Sequence, residues 1–407
     1  MRTIVPGAVL VLLLGVPLPV SAADVPTFAT DVAPILYRSC IECHRPTMFA
    51  PMSLTTYEAA RPYAQAIKRR VVARQMPPWN ADPAIGHFRN DPRLSDAEIA
   101  TITRWVDGGA PRGNDRDMPA LPAFADGWTI GTPDVVFEAQ PYTVPPSGTI
   151  PYLYFRIPTG FTEDRWLQAI EISPSARAVV HHVIAYAQPS GADPNNERTP
   201  GRMQIGGTTP NKPGVVFDPG VARLLPKHHD LVLQMHYTVN GTQMTDRTKV
   251  ALIFAKEPPK KQAGGGMILN LGFAIPPGSD NHEVRASQTM MRDTVLTSMT
   301  PHMHMRGKDM TYIAHYPDGR SETLLSVPNY DFTWQHTYLL AEPKLLPKGT
   351  RIDVVAHFDN SPNNRFNPDP SQTVRWGDQT WEEMMIGFIG TVQDRVPAAA
   401  PSTGAQQ

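Results

Sequence analysis

Two histidines separated by one residue, His302 and His304, are the side chains in this sequence best spaced to bind a metal ion. In an extended strand, alternate side chains lie on one face, so both imidazoles would point to the same place. Imidazole pairs of this kind suit copper or zinc. Two surface histidines spaced this way by coincidence are the alternative. We disfavour it because other histidines and a methionine complete two separate ligand sets.

A second set comprises the adjacent pair His181-His182 and the later His236. Neighbouring residues of a regular strand face opposite sides of the sheet. Both members of the pair could therefore bind one ion only at a bend, or through different ring nitrogens. The pair alone is a weak indication of a metal site.

Two methionines, Met384 and Met385, follow the His302 and His304 pair in the sequence. A thioether is a soft ligand, and two histidines with one methionine favour copper, especially Cu(I), over zinc. Methionine also fills gaps in cores, and neighbouring strand residues face opposite sides. We therefore expect one of the two methionines to be a core residue.

A third motif, Cys40-Ile41-Glu42-Cys43-His44, has the spacing at which two thiols add to the vinyl groups of haem and the next histidine ligates the iron. A disulfide is the alternative, but it leaves the histidine without a role. The second axial ligand of the iron is expected to be a methionine, with Met48, Met52 and Met76 as candidates. Met76 is favoured because the two prolines after it make its loop rigid.

The periodicity of the sequence changes along the chain. The flanks of the cysteine motif have a helical period, whereas the chain beyond Thr132 consists of short apolar or alternating runs separated by Pro and Gly. The predicted fold class is multidomain, with an all-α cytochrome c domain followed by two all-β sandwich domains. The predicted segments are a signal peptide (1–22), the cytochrome domain (27–113), a linker (114–130), a first copper sandwich (131–262), a second copper sandwich (263–395) and a disordered tail (396–407). The glycine-rich stretch 258–266 is predicted to be a hinge.

Composition and the first residues indicate the compartment. The chain has 407 residues, 41% of them hydrophobic, which is enough for packed cores in two to four domains. A formal net charge of -1 gives no indication of a nucleic-acid partner. The first 22 residues have the basic start, apolar middle and small-residue cleavage site of a secretory signal. Their apolar run is too short and too rich in proline to span a membrane, so we expect export to a bacterial periplasm or cell surface.

Taken together, the motifs resemble the copper type II, ascorbate-dependent monooxygenases, a family that includes peptidylglycine α-hydroxylating monooxygenase and dopamine β-monooxygenase. The resemblance is carried by the His-His pair, by Gln234-Met235-His236-Tyr237, by His-x-His and by Glu382-Glu383-Met384, and it covers about residues 135–392. Residues 28–113 are similar to c-type cytochrome domains fused to larger enzymes. The resemblance implies two jelly-roll-like sandwiches whose coppers face each other across an open cleft.

The resemblance also implies a role for each ligand set. The first copper would store and supply an electron, and the second would meet O2 and oxidise the substrate, which makes the second set catalytic. The implied ligands are His181, His182 and His236 for the first copper and His302, His304 and Met384 for the second. The resemblance to fused cytochromes implies one covalent haem c held by Cys40, Cys43, His44 and Met76, fed by a periplasmic electron donor or an ascorbate-like reductant.

Two positions depart from the peptide-amidating members of the family, which bind the substrate carboxylate with an arginine and a tyrosine. The matching positions here are Thr300 and Phe388. Because neither can pair with a carboxylate in the bidentate way that arginine does, a neutral or apolar substrate is expected.

The leading hypothesis is a haem-fused copper monooxygenase that hydroxylates a C–H bond of a small, neutral or apolar molecule with O2. A periplasmic electron-transfer or copper-binding protein without oxygenase turnover is the alternative. A copper-free scaffold is disfavoured because six ligands occur in order. A zinc hydrolase is disfavoured because no recognisable acid or base motif accompanies the histidines.

Overall fold

The computed structural model of the chain describes residues 25–46, 48, 50–123, 127–208 and 214–394. The predicted signal peptide (1–22) and tail (396–407) lie outside the described residues. Strands account for 38% of the chain and helical residues for 13%, so the protein is mainly β-sheet.

Short helices precede the first strand. They are α1 (Ala33–Ser39), α2 (Tyr57–Ala60), α3 (Ala64–Val72) and α4 (Asp96–Asp107). A π-helical turn, Phe28–Val32, leads into α1, and 3-10 turns occur at Arg61–Tyr63, Asp115–Asp117 and Arg177–Val179.

The helix boundaries follow local chemistry. Ser95 and Glu98 form a capping box at the start of α4, in both directions. No single helix runs from Thr55 to Gln75. Thr56 caps α2 instead, and a 3-10 turn containing Pro62 separates α2 from α3, because proline removes a backbone donor from a helix interior.

Twenty-one strands follow in the described part of the chain. They are β1 (Val135–Glu138), β2 (Tyr142–Val144), β3 (Leu153–Ile157), β4 (Arg165–Ser173), β5 (Val180–Pro189), β6 (Met203–Thr208), β7 (Gly214–Val216), β8 (Val221–Leu225), β9 (His229–Tyr237), β10 (Met244–Asp246), β11 (Lys249–Phe254), β12 (Lys261–Leu269), β13 (Ala274–Ile275), β14 (His282–Thr289), β15 (Thr294–His302), β16 (Gly307–His315), β17 (Ser321–Val327), β18 (Tyr338–Leu346), β19 (Arg351–Phe358), β20 (Val374–Arg375) and β21 (Ile386–Asp394).

One nine-stranded sheet runs through both halves of the β region, in the order β1-β11-β4-β8-β12-β21-β15-β18 with β7 beside β4. A four-stranded sheet, β3-β9-β5-β6, belongs to the first half, and a second one, β14-β19-β16-β17, belongs to the second half. The pairs β10-β2 and β13-β20 complete the set. Each half has its own hydrophobic core, and a third core lies among the helices.

The predicted fold class, an all-α cytochrome c domain followed by two all-β sandwich domains, is wrong. The chain is mainly β-sheet, its helices are short, and the segment before the first strand is not a separate all-α unit. Trp79 and Phe88 from that segment are buried in the core of the second β half. The two β halves also share a sheet, because β8 and β12 pair in parallel at Val221 and Lys261. Local periodicity predicted the strands but carried no information about pairing between distant segments.

The predicted hinge at 258–266 is also wrong for most of its length. The strand β12 starts at Lys261 and pairs with β21 from Lys261 to Leu269. The glycines serve close packing here, since a Cβ on Gly265 would lie 2.9 Å from the carbonyl oxygen of Ile389.

The segment between α3 and α4 is anchored on β18. Asn90 donates from Nδ2 to the Thr337 carbonyl (2.8 Å) and accepts at Oδ1 from the Leu339 amide (3.0 Å). The Trp79 ring lies 4.7 Å from that of Tyr338 and 5.5 Å from that of His336. These aromatic contacts tie the helical segment to the second β half.

Trp79→Ala is expected to lower the free energy of unfolding by about 3–5 kcal/mol, because it leaves a cavity where a large buried side chain packs. Urea denaturation would measure the change. The matched control is Trp381→Ala, whose side chain is 46% exposed, with an expected change within about 0.5 kcal/mol. Equal losses in the two variants would contradict the anchoring role of Trp79.

His336, in the same aromatic cluster, makes the folding stability depend on pH. Burial lowers the pKa of His336 to about 4, and the charge of Asp331 partly opposes this. The unfolded chain therefore binds more protons between pH 6.5 and pH 4, so stability is highest above pH 6.5 and falls as the pH drops through this window. The slope contributed by His336 is at most about 1.4 kcal/mol per pH unit. We expect His336→Phe to have a shallower acid limb in urea titrations from pH 7 to pH 4, and an unchanged limb would contradict the assignment.

Candidate metal centres

The first histidine set is assembled by a β-bulge. In the pairing of β5 with β9, Val180 opposes Tyr237 and His182 opposes His236, with a shift of register between them. His181 is thus the extra residue of a bulge, where the strict alternation of a strand is broken. This is the bend that two adjacent histidines require to reach one ion.

The side chains of His181, His182 and His236 each offer a ligand atom, and these atoms lie within 4.8 Å of one another. The His236 ring centroid is 4.9 Å from each of the other two, and Nδ1 of His181 is 3.1 Å from Nδ1 of His182. Nδ1 of His236 is buried and has no hydrogen-bond partner in the described part of the chain. A buried nitrogen left in this state is costly unless something else binds it.

The electrostatics of the first set favour neutral rings. Burial lowers the pKa of His181 to about 4, with the charge of His302 adding to the effect. Burial, together with the charges of His181 and His302, lowers the pKa of His236 to about 3. Neutral imidazoles keep a lone pair, which is what a metal ligand must offer.

The second histidine pair lies at the end of a strand. His302 is the last residue of β15, and His304 lies in the turn that follows, so the extended geometry predicted for the pair holds only up to His302. Their rings nevertheless converge, with centroids 5.3 Å apart and planes at 87°. His304 is fully buried, and burial lowers its pKa to about 3.

The tautomers of this pair are set by oxygen acceptors. Nδ1 of His302 donates to Oε1 of Gln335 (2.6 Å), and Nδ1 of His304 donates to the Glu382 carbonyl (3.2 Å). Since both acceptors are oxygens, the lone pair of each ring lies on Nε2. Nε2 of His304 is buried without a hydrogen-bond partner among the described residues. Histidine ligands of metals are commonly oriented in this way by a hydrogen bond on the other nitrogen.

Glu383 fixes the turn that carries His304. Its carboxylate accepts from the backbone amides of His304 (2.8 Å) and Arg306 (2.6 Å). Burial raises the pKa of Glu383 to about 8, although these hydrogen bonds oppose the shift. One sequence feature pointed to this residue, the acidic pair directly before the predicted ligand Met384.

Of the two methionines, Met385 packs in the core of the second β half, as expected for one of the pair. Met384 is also buried, and within the described residues it lies outside that core cluster. It follows Glu382 and Glu383, which both contact His304. Coordination by its sulfur stays a prediction.

Gln335→Leu is expected to weaken copper binding at the second set by about 10–100-fold, because His302 loses the acceptor that orients its ring. Competitive copper titration would measure this. Gln168→Leu is the matched control, since that amide donates to the Phe217 carbonyl in the first β half. Equal affinities in the Gln335→Leu variant and the wild type would contradict the orienting role.

One aromatic ring, that of Phe332, contacts both histidine sets. Phe332 stacks on His181 with centroids 5.0 Å apart and meets His304 edge-on at 6.0 Å. The turn before β18 therefore contacts predicted ligands of both sets.

The cysteine motif directly follows α1. Cys40 and Cys43 are half-buried free thiols, and burial raises the pKa of Cys40 to about 12 and that of Cys43 to about 11. His44 donates from Nδ1 to the Met52 carbonyl (3.2 Å), which leaves the lone pair on Nε2. Met76 is half-buried in the loop after α3, and its role as an axial ligand stays a prediction.

Comparisons with known proteins do not identify the chain. No family model and no curated protein matches it. Among solved structures, the major capsid protein P2 from Bacteriophage PM2 is similar at 7% identity and a TM-score of 0.29, over 65% of this chain and 100% of that one. PNGase F, a glycosylasparaginase from Flavobacterium meningosepticum, is similar at 8% identity and 0.25, over 62% and 95%. An allantoicase is similar at 9% identity and 0.16, over 54% and 79%. Likenesses this weak carry no argument about function.

None of the helices in the described part of the chain is long and apolar enough to span a membrane.

Proposed function

We propose that this protein is a copper-dependent monooxygenase that hydroxylates a C–H bond of a small, neutral or apolar molecule. The reaction would consume O2, two electrons and two protons per turnover and give the alcohol and water. The observation that carries the proposal is the convergence of two histidine sets, buried except for the partly exposed His181, each with a ring nitrogen that lacks a partner among the described residues.

The donor sets fit copper. Three imidazoles from β5 and β9 would hold one ion, and two imidazoles with the Met384 thioether would hold the other. When bound, the two coppers would supply one-electron redox chemistry for the activation of O2. The chain's own contribution is orientation: Gln335 and the Glu382 carbonyl set the tautomers of the second pair, and Glu383 holds the His304 turn.

A covalent haem on the helical segment is part of the proposal. Cys40, Cys43 and His44 have the required spacing, and the hydrogen bond from His44 to the Met52 carbonyl would leave Nε2 for the iron. The haem would supply single electrons from a periplasmic donor or an ascorbate-like reductant. Export to the periplasm or the cell surface of a bacterium belongs to the same proposal.

The surroundings of the second set support a neutral substrate. The Phe388 ring lies 6.1 Å from the His302 ring, and the Thr300 hydroxyl donates to Oγ1 of Thr337 at 2.9 Å. Phe388 and Thr300 occupy facing positions in the β21–β15 pairing. Neither side chain carries a charge that would bind a carboxylate.

The test is turnover under 18O2 with ascorbate and a panel of small neutral alkyl and aryl compounds. We expect an alcohol with one 18O atom from at least one compound, no such product from the His302→Ala variant, and little amidation of glycine-extended peptides. Oxygen uptake that yields only hydrogen peroxide with every compound would contradict the proposal.

A copper and haem electron-transfer protein without oxygenase turnover is the second candidate. It is favoured by the burial of His302 and His304 and by the packing of Phe332 against His304. A surface pocket is present, but no predicted metal ligand lines it; its lining residues are Arg198, Leu271, Gly272, Phe273, Arg375 and Trp376.

A further inference from the structure

Phe332 contacts both histidine sets through one ring. It stacks on His181 at 5.0 Å with the planes 15° apart, and it is tilted against His236 at 6.5 Å. It also meets His304 edge-on at 6.0 Å. One phenyl ring therefore contacts predicted ligands of both copper sites.

These contacts leave the ligand lone pairs available. A metal binds an imidazole in the plane of the ring, at a nitrogen, whereas the stacked phenyl ring covers only the face of His181. The buried nitrogens that lack a partner among the described residues, Nδ1 of His236 and Nε2 of His304, also remain for metal binding. Phe332 and two metal ions are thus compatible.

The backbone holds Phe332 in this place. Asp331 forms a turn in which its carbonyl accepts from the Trp334 amide (2.9 Å) and its carboxylate accepts from the Thr333 amide (2.8 Å). Gln335 donates from Nε2 to the Phe332 carbonyl (3.2 Å) and accepts at Oε1 from His302. The same amide thereby orients one predicted ligand and fixes the position of the ring.

We propose that Phe332 is an apolar partition between the two copper sites, which prevents water or a small anion from bridging the two ions. A phenyl ring offers no lone pair to a metal, and an anion would lose its hydration without gaining a hydrogen bond there. The inference rests on the proposed function, since it requires both sets to bind copper. Phe332 acts through the space that it fills and is a positioning residue, not a ligand.

The test uses azide as the bridging anion. Wild type and the Phe332→Ala variant are loaded with two Cu(II) ions per chain and titrated with azide while the EPR signal is integrated. A bridging azide couples the two spins and removes their signal, whereas azide on one ion leaves it. We expect the wild type to keep its signal and the alanine variant to lose most of it.

Three further variants sharpen the test. Phe332→Leu keeps an apolar filler and should behave like the wild type. Phe388→Ala removes a ring beside His302 and should also keep the signal. Phe332→Val is a second truncation in case the alanine variant does not fold, with circular dichroism and copper content measured before each titration.

A Phe332→Ala protein that binds two coppers and keeps its full signal at saturating azide would overturn the inference while leaving the proposed function intact. Loss of signal in the wild type would overturn it as well. A wild type that binds fewer than two coppers would overturn the proposed function, and the partition with it.

Discussion

Replacing His236 with alanine is expected to remove one of two coppers per chain and leave the other in place. The three ligand atoms of the first set lie within 4.8 Å of one another, and loss of one leaves only two imidazoles from a bulged strand. His302→Ala should remove the other copper, because one imidazole and a thioether remain. Copper content by mass spectrometry and EPR spin counting would measure both changes, each a loss of about half the bound metal.

The control for both variants is His87→Ala, which changes an exposed histidine on the segment between α3 and α4 and should keep both coppers. Loss of both coppers in either ligand variant, with folding intact, would contradict two separate sites. Retention of both would show that these side chains do not hold the metal.

Changing Cys40 and Cys43 together to alanine is expected to abolish covalent haem and leave copper binding unchanged. The thioether bonds need both thiols, and no other cysteine exists in the sequence. The predicted copper ligands lie on β5 and β9, at the end of β15, in the turn after it and just before β21. None of them is a cysteine, so copper binding is expected not to depend on these thiols. Haem staining after denaturing electrophoresis would report the first effect, and copper content the second.

Glu42→Ala is the matched control, because it alters the motif without touching a thiol or His44. It should retain full haem attachment. Covalent haem in the double cysteine variant would contradict the motif assignment. Loss of copper from a folded double variant would mean that the helical segment contributes to the copper sites.

The sequence predicted which histidines converge better than how they are positioned. The spacing of His302 and His304 indicated that both could bind one metal ion. His304, however, lies in a turn beyond the strand, and Glu383 and Glu382 from a distant segment position it. The adjacency of His181 and His182 counted against a common ion. The β-bulge that resolves this depends on the register with β9, which no local pattern encodes.

The pairing of the strands was predicted less well than their positions in the sequence. Most runs of alternating residues do form strands, but β12 crosses the expected boundary between the halves and pairs with both β8 and β21. The contact of Phe332 with both histidine sets was likewise not predictable from the sequence. The turn that carries Phe332 packs against residues from both β halves, which lie far apart in the sequence.

The most direct test of the central claim is the metal content of the exported, haem-loaded protein, with EPR on the oxidised form. The proposed function predicts two type 2 copper signals and one haem iron per chain. One copper or none after complete loading would contradict it, because the two converging histidine sets would then not be two copper sites.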